Sequence, residues 1–300
     1  MTTTDQNRHS PEHSVDWQGE PTQADVTQVV ARLAAWFRAS DVASRPLAVA
    51  LSGGVDSAVV AKAAALSDCQ AVAVTARSAS VSAVEQTDAR QLAECMGIAH
   101  AWVEPNELND PAYLQNDVRR CYFCKSKLYA AIAARFPQHL ILSGTNFDDL
   151  GDYRPGLQAA DEAQVKAPLA ELQLGKTSVR QLARHWQLAV ADKPASPCLA
   201  SRIAYGVAVT TERLQRIEQA EQLLRSAGWR EFRVRLHADE MARIEVPADA
   251  LLQFLSSTGR VELVDELKRL GFRYVTLDLE GFRSGSLNPL FQIAKATPDT

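Results

Sequence analysis

Residues 47–57, LAVALSGGVDS, decide the fold of this chain. The apolar run at the start of this segment is typical of a buried parallel strand, and a helical pattern follows the segment. The two glycines between them let the backbone turn tightly and approach an anion, at which the first free N–H groups of the helix point. The segment therefore predicts a phosphate-binding loop, with a plain strand-to-helix turn as the alternative. The candidate phosphate-binding residues are Ser52, Gly53, Gly54, Asp56 and Ser57. The patterns GxxxxGK[ST] and GxGxxG are absent from the sequence, which argues against a kinase-like ATPase and a dinucleotide-dependent dehydrogenase.

Three further apolar segments follow and alternate with helical patterns. The strands are predicted at 71–76, 99–104 and 139–144, and the helices at 56–67, 81–96 and 121–135. Parallel strands that are joined by helices form a sheet covered on both faces. We therefore predict an α/β fold with a doubly wound parallel sheet, in which ligands bind beyond the carboxyl ends of the strands.

The composition changes at residues 193–206, KPASPCLASRIAYG, which predicts a hinge between two domains. A helix at 211–227 and strand-like segments at 231–237, 242–247 and 273–279 follow, in a mixed pattern typical of a smaller α+β domain. The predicted organisation is a disordered leader at 1–22, a nucleotide-binding domain at 23–205, a C-terminal α+β domain for substrate binding or oligomerisation at 206–290, and a tail at 291–300.

The charge balance limits the possible partners. The 300 residues include 32 Lys and Arg against 36 Asp and Glu, a net charge of −4, which argues against non-specific binding to nucleic acid or anionic membranes. No apolar run approaches the ~20 residues that span a bilayer. The first residues lack the apolar core of a signal peptide. We expect a cytoplasmic protein with no nucleic-acid or membrane partner.

Five cysteines in a long chain without an export signal do not indicate a disulfide framework. Cys121 and Cys124 lie three residues apart at a predicted helix start among Arg and Lys residues, where thiol pKa values are lowered. Cys198 lies alone in the hinge. We favour an iron–sulfur cluster held by these three thiolates, with one iron open to an exogenous sulfur atom. A redox dithiol, a structural zinc site and a helical pair without function are the alternatives.

The segment SGGVDS resembles the signature of the PP-loop ATP pyrophosphatases, which cleave ATP between the α- and β-phosphates and adenylate a carbonyl or carboxylate oxygen. The resemblance implies that Ser52, Gly53, Gly54, Asp56 and Ser57 hold pyrophosphate and that Asp56 lies near Mg²⁺. It also places a nucleoside at the strand ends that contain Arg77 and Gly144.

More specific segments resemble the LarE family of ATP-dependent sulfur transferases. They are RRCYFCKSKLY (119–129), GTNFDDLGDYRPG (144–156), PASPCLASRIAYG (194–206), FRVR (232–235), ARIEV (242–246) and GFRSGSLN (281–288). This family converts pyridinium-3,5-biscarboxylic acid mononucleotide to the bisthiocarboxylic form, for the nickel-pincer cofactor of lactate racemase. In its single-cysteine members, the cysteine that matches Cys198 gives up its own sulfur and becomes dehydroalanine. In its three-cysteine members, a [4Fe–4S] cluster carries the extra sulfide. The CxxC motif of this chain resembles the second type.

Several charged residues complete the set of candidates. Arg233 and Arg235 alternate along a predicted strand, and the family pattern implies that they clamp the phosphate of the substrate mononucleotide, against a solvated strand face as the alternative. Arg283 is a further candidate for the substrate and Glu221 for a metal. Asp148, Asp149 and Asp152 could ligate a metal, although acidic residues after a turn are more often caps or solvated loop residues. Tyr153 and Arg154 receive no reaction role.

Two other functions compete with sulfur transfer to a small molecule. One is thiolation of a tRNA base, which the acidic balance of the chain disfavours. The other is a non-catalytic module that binds metal and nucleotide. The favoured function requires ATP, Mg²⁺, the pyridinium mononucleotide and a sulfide or persulfide donor, and the resemblance implies a homo-oligomer.

Overall fold

A computed structural model describes residues 23–151, 155–194 and 196–283 of the chain. The predicted leader (1–22) and tail (291–300) lie outside the described residues. Within the described ranges, no helix has the length and the apolar character that crossing a bilayer requires.

The described residues form two sheets and the helices around them. The strands are β1 (Leu47–Ala50), β2 (Ala71–Ala76), β3 (Ala99–Val103), β4 (Leu140–Leu142), β5 (Arg233–His237), β6 (Met241–Glu245) and β7 (Tyr274–Leu277). The helices are α1 (Gln23–Arg38), α2 (Ser40–Ala43), α3 (Val55–Ala65), α4 (Ala83–Met96), α5 (Pro111–Leu114), α6 (Arg120–Arg135), α7 (Pro155–Glu162), α8 (Pro168–Glu171), α9 (Lys176–His185), α10 (Thr211–Ser226), α11 (Leu251–Ser256) and α12 (Arg260–Arg269).

The first sheet has the parallel order β3-β2-β1-β4 and confirms the predicted α/β fold class. Alternate residues of its strands face opposite sides. Val49 packs with α1, α3, α4 and α9, whereas its neighbour Ala48 packs with α6 and α7, so helices cover both faces. The chain leaves β1 toward β2 and later returns to the other side of β1 as β4. This reversal makes the carboxyl ends of β1 and β4 the expected ligand site.

The second sheet is mixed: β5 and β6 are antiparallel, and β6 and β7 are parallel. Its apolar face, which includes Val234 and Ile244, packs on α10 and α12. The opposite face carries Arg233, Arg235 and Arg243, because strand side chains alternate between faces. The charged face is therefore the one available to a polar ligand.

The connection between the sheets packs against both of them. Tyr113 of α5 and Leu199 of the connection share one apolar cluster with α10 and β5. The buried Asn116 bridges the two parts, since its Nδ2 donates to the carbonyl oxygens of Ala204 (2.9 Å) and Val207 (2.8 Å). Its Oδ1 accepts a hydrogen bond of 2.6 Å from the buried Arg120. Residues on both sides of the predicted boundary at 205 therefore share one apolar cluster, while the strands of the first sheet pack in two other clusters.

Candidate functional site

The loop after β1 has the hydrogen bonds of a preformed anion cradle. Gly53 has φ +78°, a conformation that a side chain would strain. The hydroxyl of Ser57 donates to the carbonyl oxygen of Gly54 at 3.1 Å and accepts the N–H of Ser52 at 3.2 Å. The loop therefore closes on the first turn of α3, where backbone N–H groups lack intrahelical partners. This geometry supports phosphate binding, which stays a prediction for the individual residues.

Gly144 lies at the carboxyl end of β4, directly against this loop. A Cβ at Gly144 would lie 2.5 Å from the backbone nitrogen of Ser57 and 2.7 Å from its Cα. No other residue type fits this close approach without a shift of one backbone. The candidates Ser57 and Gly144, which are distant in sequence, are thus brought into contact.

Asp56 has two partners that the sequence did not predict for it. Its Oδ1 accepts a hydrogen bond of 3.0 Å from Asn146, and its Oδ2 lies 2.5 Å from Nζ of Lys176. The backbone N–H of Lys176 donates to Asp148 at 2.7 Å, which fixes the start of α9 beside the loop. Asp148 therefore has a structural role, and Lys176 is a further candidate for the site that the motif analysis missed. Its only signal was its place after Gly175 at a helix start, which is not specific.

A second lysine contacts the same loop. Nζ of Lys193 lies 2.9 Å from Asp88 of α4 and 3.5 Å from the carbonyl oxygen of Gly53. Two lysines thus flank the predicted phosphate position.

Arg77 follows β2, and its side chain lies over the edge strand β3. Its guanidinium lies 5.0 Å from the ring centroid of Trp102 on β3. Arg77 also lines a cavity of about 320 Å³ between the loop after β2 and helix α10, together with Gln86, Gln215 and Glu218. Its predicted contact with the nucleotide stays a prediction.

The three cysteines of the predicted cluster lie in one electrostatic neighbourhood. Cys121 is exposed, whereas Cys124 and Cys198 are partly buried. Burial raises the pKa of Cys124, and the charges of Cys198, Glu107 and Cys121 contribute to the rise. The lowered pKa expected from the adjacent Arg and Lys residues is therefore wrong for Cys124, because desolvation outweighs the nearby positive charge. The remaining cysteines lie elsewhere: Cys69 packs in the core beside α1, and Cys95 is exposed on α4.

A buried polar network borders the cysteines. Tyr113 donates to Ser80 at 2.7 Å, and Ser80 donates to the buried carboxylate of Glu107 at 2.9 Å. Burial and the charges of Cys198 and Cys124 raise the pKa of Tyr113. The phenol is therefore neutral at physiological pH and available as a hydrogen-bond donor.

The Cys198 loop sits on the carboxyl edge of the first sheet. The N–H of Leu199 donates to the carbonyl oxygen of Ser80 at 2.8 Å, in the loop after β2. The buried Arg120 donates to the carbonyl oxygen of Ala200 at 2.8 Å, and its positive charge interacts with Cys198 and Cys121. The loop is thus seated next to the strand ends.

No three His, Cys, Asp or Glu side chains in the described ranges are grouped so that they could hold one metal ion. A four-iron cluster spaces its thiolates more widely than a single ion spaces its ligands. The cluster and the Mg²⁺ site therefore both stay predictions.

The predicted substrate arginines differ in their surroundings. Arg235 is 6% exposed and pairs with the fully buried Glu245 at 2.9 Å. Arg233 stacks 5.0 Å from the ring centroid of Phe282, and burial, with repulsion from Arg202, lowers its pKa. The exposed Arg283 pairs with Glu280, three residues earlier.

Glu221, the predicted metal candidate, faces arginines. It lies 3.0 Å from Arg202 and 3.4 Å from Arg225. Asp149 accepts the N–H of Asn146 at 3.2 Å, while Asp152, Tyr153 and Arg154 lie outside the described residues.

Comparison with known proteins agrees with this geometry. Residues 30–120, which include the loop after β1, match the asparagine synthase family. The chain is 39% identical over 245 residues to the pyridinium-3,5-bisthiocarboxylic acid mononucleotide synthase of Lactiplantibacillus plantarum, over 80% of this chain and 88% of that protein. The chain belongs to the LarE family of ATP-dependent sulfurtransferases.

Other relatives of this LarE-family chain carry no functional name. An uncharacterized protein of Synechocystis sp. is 47% identical over 244 residues, 80% of this chain and 91% of that protein. An uncharacterized protein of Methanocaldococcus jannaschii is 30% identical over 174 residues, 57% of this chain and 67% of that protein. The alignment with the synthase covers 80% of this chain, so it includes residues of both sheets.

Proposed function

We propose that this LarE-family chain adenylates a carboxylate of pyridinium-3,5-biscarboxylic acid mononucleotide and replaces the adenylate by sulfur to give the thiocarboxylate. The product would serve the nickel-pincer cofactor of a lactate racemase. The 2.8 Å hydrogen bond between Leu199 and Ser80 carries this proposal, because it seats the Cys198 loop on the sheet edge that also carries the phosphate loop. An adenylated substrate at that edge would lie beside the sulfur centre.

The adenylation step would use the loop after β1. A substrate carboxylate oxygen attacks the α-phosphorus of ATP, and the bond to the bridging oxygen of pyrophosphate breaks. The N–H groups of Ser52, Gly53 and Gly54 and the start of α3 would stabilise the charge that grows on the leaving pyrophosphate. Asp56 would hold Mg²⁺ together with phosphate oxygens, after Lys176 moves from it to a phosphate.

Cys121, Cys124 and Cys198 would hold the [4Fe–4S] cluster. Three thiols beside the positive charges of Arg120 and Lys125 are a donor set that suits such a cluster, because the cations offset the thiolate charge. When bound, the cluster supplies a nucleophilic sulfur. Cys124 must lose a proton to bind iron, and its raised pKa makes assembly dependent on pH.

The charged face of the second sheet would hold the substrate phosphate. Arg233 and Arg235 lie two residues apart on β5, and Arg283 lies close in sequence to Phe282, on which Arg233 stacks. The pairing of Arg235 with Glu245 orients its guanidinium, and Arg233 on the same face of β5 would contact the phosphate beside it. In this assignment, residues 23–205 bind the nucleotide and the cluster, and residues 206–290 bind the substrate.

The proposal also extends to the location, the oligomeric state and the partners of the protein. We expect a cytoplasmic homo-oligomer that receives sulfur from a sulfide or persulfide donor and has no nucleic-acid or membrane partner. The net charge of −4 supports a small-molecule substrate over tRNA.

Anaerobic purification followed by assay of iron, acid-labile sulfide and products tests this function. We expect a brown protein that releases AMP and pyrophosphate and forms the thiocarboxylate only with the pyridinium mononucleotide and ATP. Release of inorganic phosphate alone would contradict adenylation. A colourless zinc protein would contradict the cluster, and loss of H₂S from Cys198, seen by mass spectrometry after turnover, would show the sacrificial route instead.

A further inference from the structure

Arg202 and Glu221 form a buried ion pair between the Cys198 loop and helix α10. Their relative exposures are 3% and 2%, and Nε of Arg202 lies 3.0 Å from Oε1 of Glu221. A buried pair of this kind adds little net stability compared with apolar residues of similar volume. A role in holding other groups in place would account for it.

Arg202 forms hydrogen bonds with the backbone of the Cys198 loop. Its Nη1 donates to the carbonyl oxygen of Cys198 at 3.1 Å and also to that of Pro197. The same nitrogen lies 3.1 Å from the hydroxyl of Ser201. One guanidinium thus binds the residues on either side of the thiol-bearing Cα.

The Glu221 end of the pair reaches the substrate strand. Oε1 of Glu221 accepts the N–H of Val234 at 3.5 Å, between Arg233 and Arg235 on β5. Arg225 holds the other carboxylate oxygen at 3.4 Å. Glu221 is therefore bonded to both the strand that carries the predicted phosphate contacts and the arginine that fixes the Cys198 loop.

We propose that Glu221 and Arg202 are positioning residues that set the distance between the sulfur of Cys198 and the substrate bound on β5. This inference deepens the proposed function and rests on it for the identity of the substrate. It replaces the expectation that Glu221 binds a metal, because the carboxylate is already saturated by two arginines and a backbone N–H. Small misplacements of reacting groups cost large factors in rate, so the pair acts on the sulfur-transfer step.

The test compares single and double variants at this pair with a matched control. Removing one partner leaves a buried charge and destabilises the fold, whereas the double variant Arg202→Met/Glu221→Leu removes both charges and keeps apolar volume. The control is Arg213→Met/Glu240→Gln, which breaks a pair at 2.7 Å that is about one-quarter exposed and lies away from the Cys198 loop, while the amide can still accept the hydrogen bond of Arg216. Arg202→Lys keeps the positive charge but loses the planar guanidinium, which bonds Glu221 and the Cys198 loop at the same time.

Two measurements follow each variant. The first is the rate of iodoacetamide labelling of Cys198 relative to the exposed Cys95, by peptide mass spectrometry without ATP or substrate and after chelation of bound metal. The second is a kinetic comparison of ATP–pyrophosphate exchange, which reports adenylation, with formation of the thiocarboxylate. Thermal unfolding confirms that each variant is folded.

We expect the folded double variant to label Cys198 about tenfold faster relative to Cys95, because the loop is released. It should keep adenylation within about twofold and lose sulfur transfer by about 100-fold, the scale expected for lost orientation of a reacting group. Arg202→Lys should fall between it and the wild type, and the Arg213/Glu240 control should match the wild type in both measurements.

A double variant with wild-type labelling and sulfur transfer would overturn the proposal and leave the pair a structural element. Loss of bound metal in Glu221→Gln but not in Arg202→Lys would also overturn it, in favour of a metal ligand. If the wild-type chain forms no thiocarboxylate, the proposed function fails, while the labelling ratio still decides whether the pair positions Cys198.

Discussion

Asp56 and Lys176 show how one contact balances the charge of the phosphate loop. Their charged atoms lie 2.5 Å apart and both side chains are partly exposed. The expected Mg²⁺ ligand is thus paired with an amine until a stronger partner is present. Binding of magnesium and nucleotide together would give Asp56 a metal and Lys176 a phosphate oxygen, so neither charge would be left without a partner.

Replacement of Lys176 by Met should weaken ATP binding. One lost charge-assisted hydrogen bond to phosphate corresponds to ~1.5–3 kcal/mol, or about a 10- to 100-fold higher Kd. Equilibrium binding of a fluorescent ATP analogue with Mg²⁺ measures this change. Lys166→Met is the matched control, since Lys166 forms an exposed ion pair with Asp41 at 3.9 Å and should leave the Kd unchanged. An unchanged Kd in Lys176→Met would contradict the assignment.

Alkylation of Cys124 should depend on pH with a midpoint above that of an ordinary thiol. Burial and the neighbouring charges raise its pKa, so less of the reactive thiolate is present at any given pH than in a free cysteine. Between about pH 7 and about pH 10, the range in which ordinary thiols ionise, we expect the thiol of a short unstructured cysteine peptide to reach its full labelling rate while the labelling rate of Cys124 is still rising. Peptide-resolved mass spectrometry of metal-free protein mixed with that reference peptide measures both rates at once. Equal midpoints would contradict the raised pKa.

At the residue scale, sequence analysis predicts the groups that occur in motifs and misses those defined by contacts between distant residues. The phosphate loop and the CxxC pair are visible because their spacing is local, and Cys198 is visible through its resemblance to the family segment. Lys176 lies far along the chain from its partner Asp56, and nothing in its local sequence distinguishes it from a surface cation. Arg202 lies in the family-like segment 194–206, but its pairing with Glu221, which is 19 residues away, is not visible in that segment. The direction of the Cys124 pKa was wrong because charges can be counted in a sequence, whereas burial cannot.

The end of β4 and the start of α3 meet at Gly144, where the backbones leave no room for a side chain. A methyl group there would lie 2.5 Å from the nitrogen of Ser57, so Gly144→Ala must displace the phosphate loop. We expect a loss of about 1–3 kcal/mol in unfolding free energy, as for other overpacked sites, together with weaker ATP binding. Denaturant unfolding and nucleotide titration measure the two effects.

Gly151 provides the control for this prediction. A Cβ at Gly151 would meet no atom within 4 Å, so Gly151→Ala should match the wild type in stability and ATP binding. A Gly144→Ala variant that behaves like Gly151→Ala would show that the two elements can separate without cost.

The strands and long helices were predictable because each has a clear period or an apolar run. Helices α3, α4 and α6 and all four strands of the parallel sheet lie within a few residues of their predicted bounds. Helices α7 to α9 were not predicted. Helix α8 has four residues and α7 has eight, which is too short for a clear period, so their positions depend on packing. Helix α9 does carry an apolar stripe with Val179, Leu182 and Ala183, which the sequence analysis overlooked.

At the scale of the molecule, the second sheet shares its apolar cluster with residues that precede the predicted domain boundary at 205. Tyr113 and Leu199 pack in the same cluster as Leu214 of α10 and Phe232 beside β5. The division at residue 205 that the composition suggests therefore crosses a continuous core. Two domains that are joined in this way should unfold together.

Leu214→Ala should lower the unfolding temperature of the whole chain in a single transition. Leu214 is fully buried, and such substitutions cost about 2–5 kcal/mol. Helical circular dichroism and tryptophan fluorescence should give coincident curves. Leu252→Ala, at a side chain that is 80% exposed, is the control and should not shift them. Two separated transitions would contradict the shared interior.

The buried hydrogen bonds of Asn116 predict how ionic strength affects the stability of the protein and its binding of ligands. These bonds to Ala204, Val207 and Arg120 lie in the interior, where dissolved ions do not screen them. Rising ionic strength should therefore weaken the capture of phosphorylated ligands by surface lysines and arginines long before it loosens the two halves from each other. Inhibition by salt would then appear as a higher KM at constant kcat, and a halophilic homologue could adapt by changing its outer charges alone.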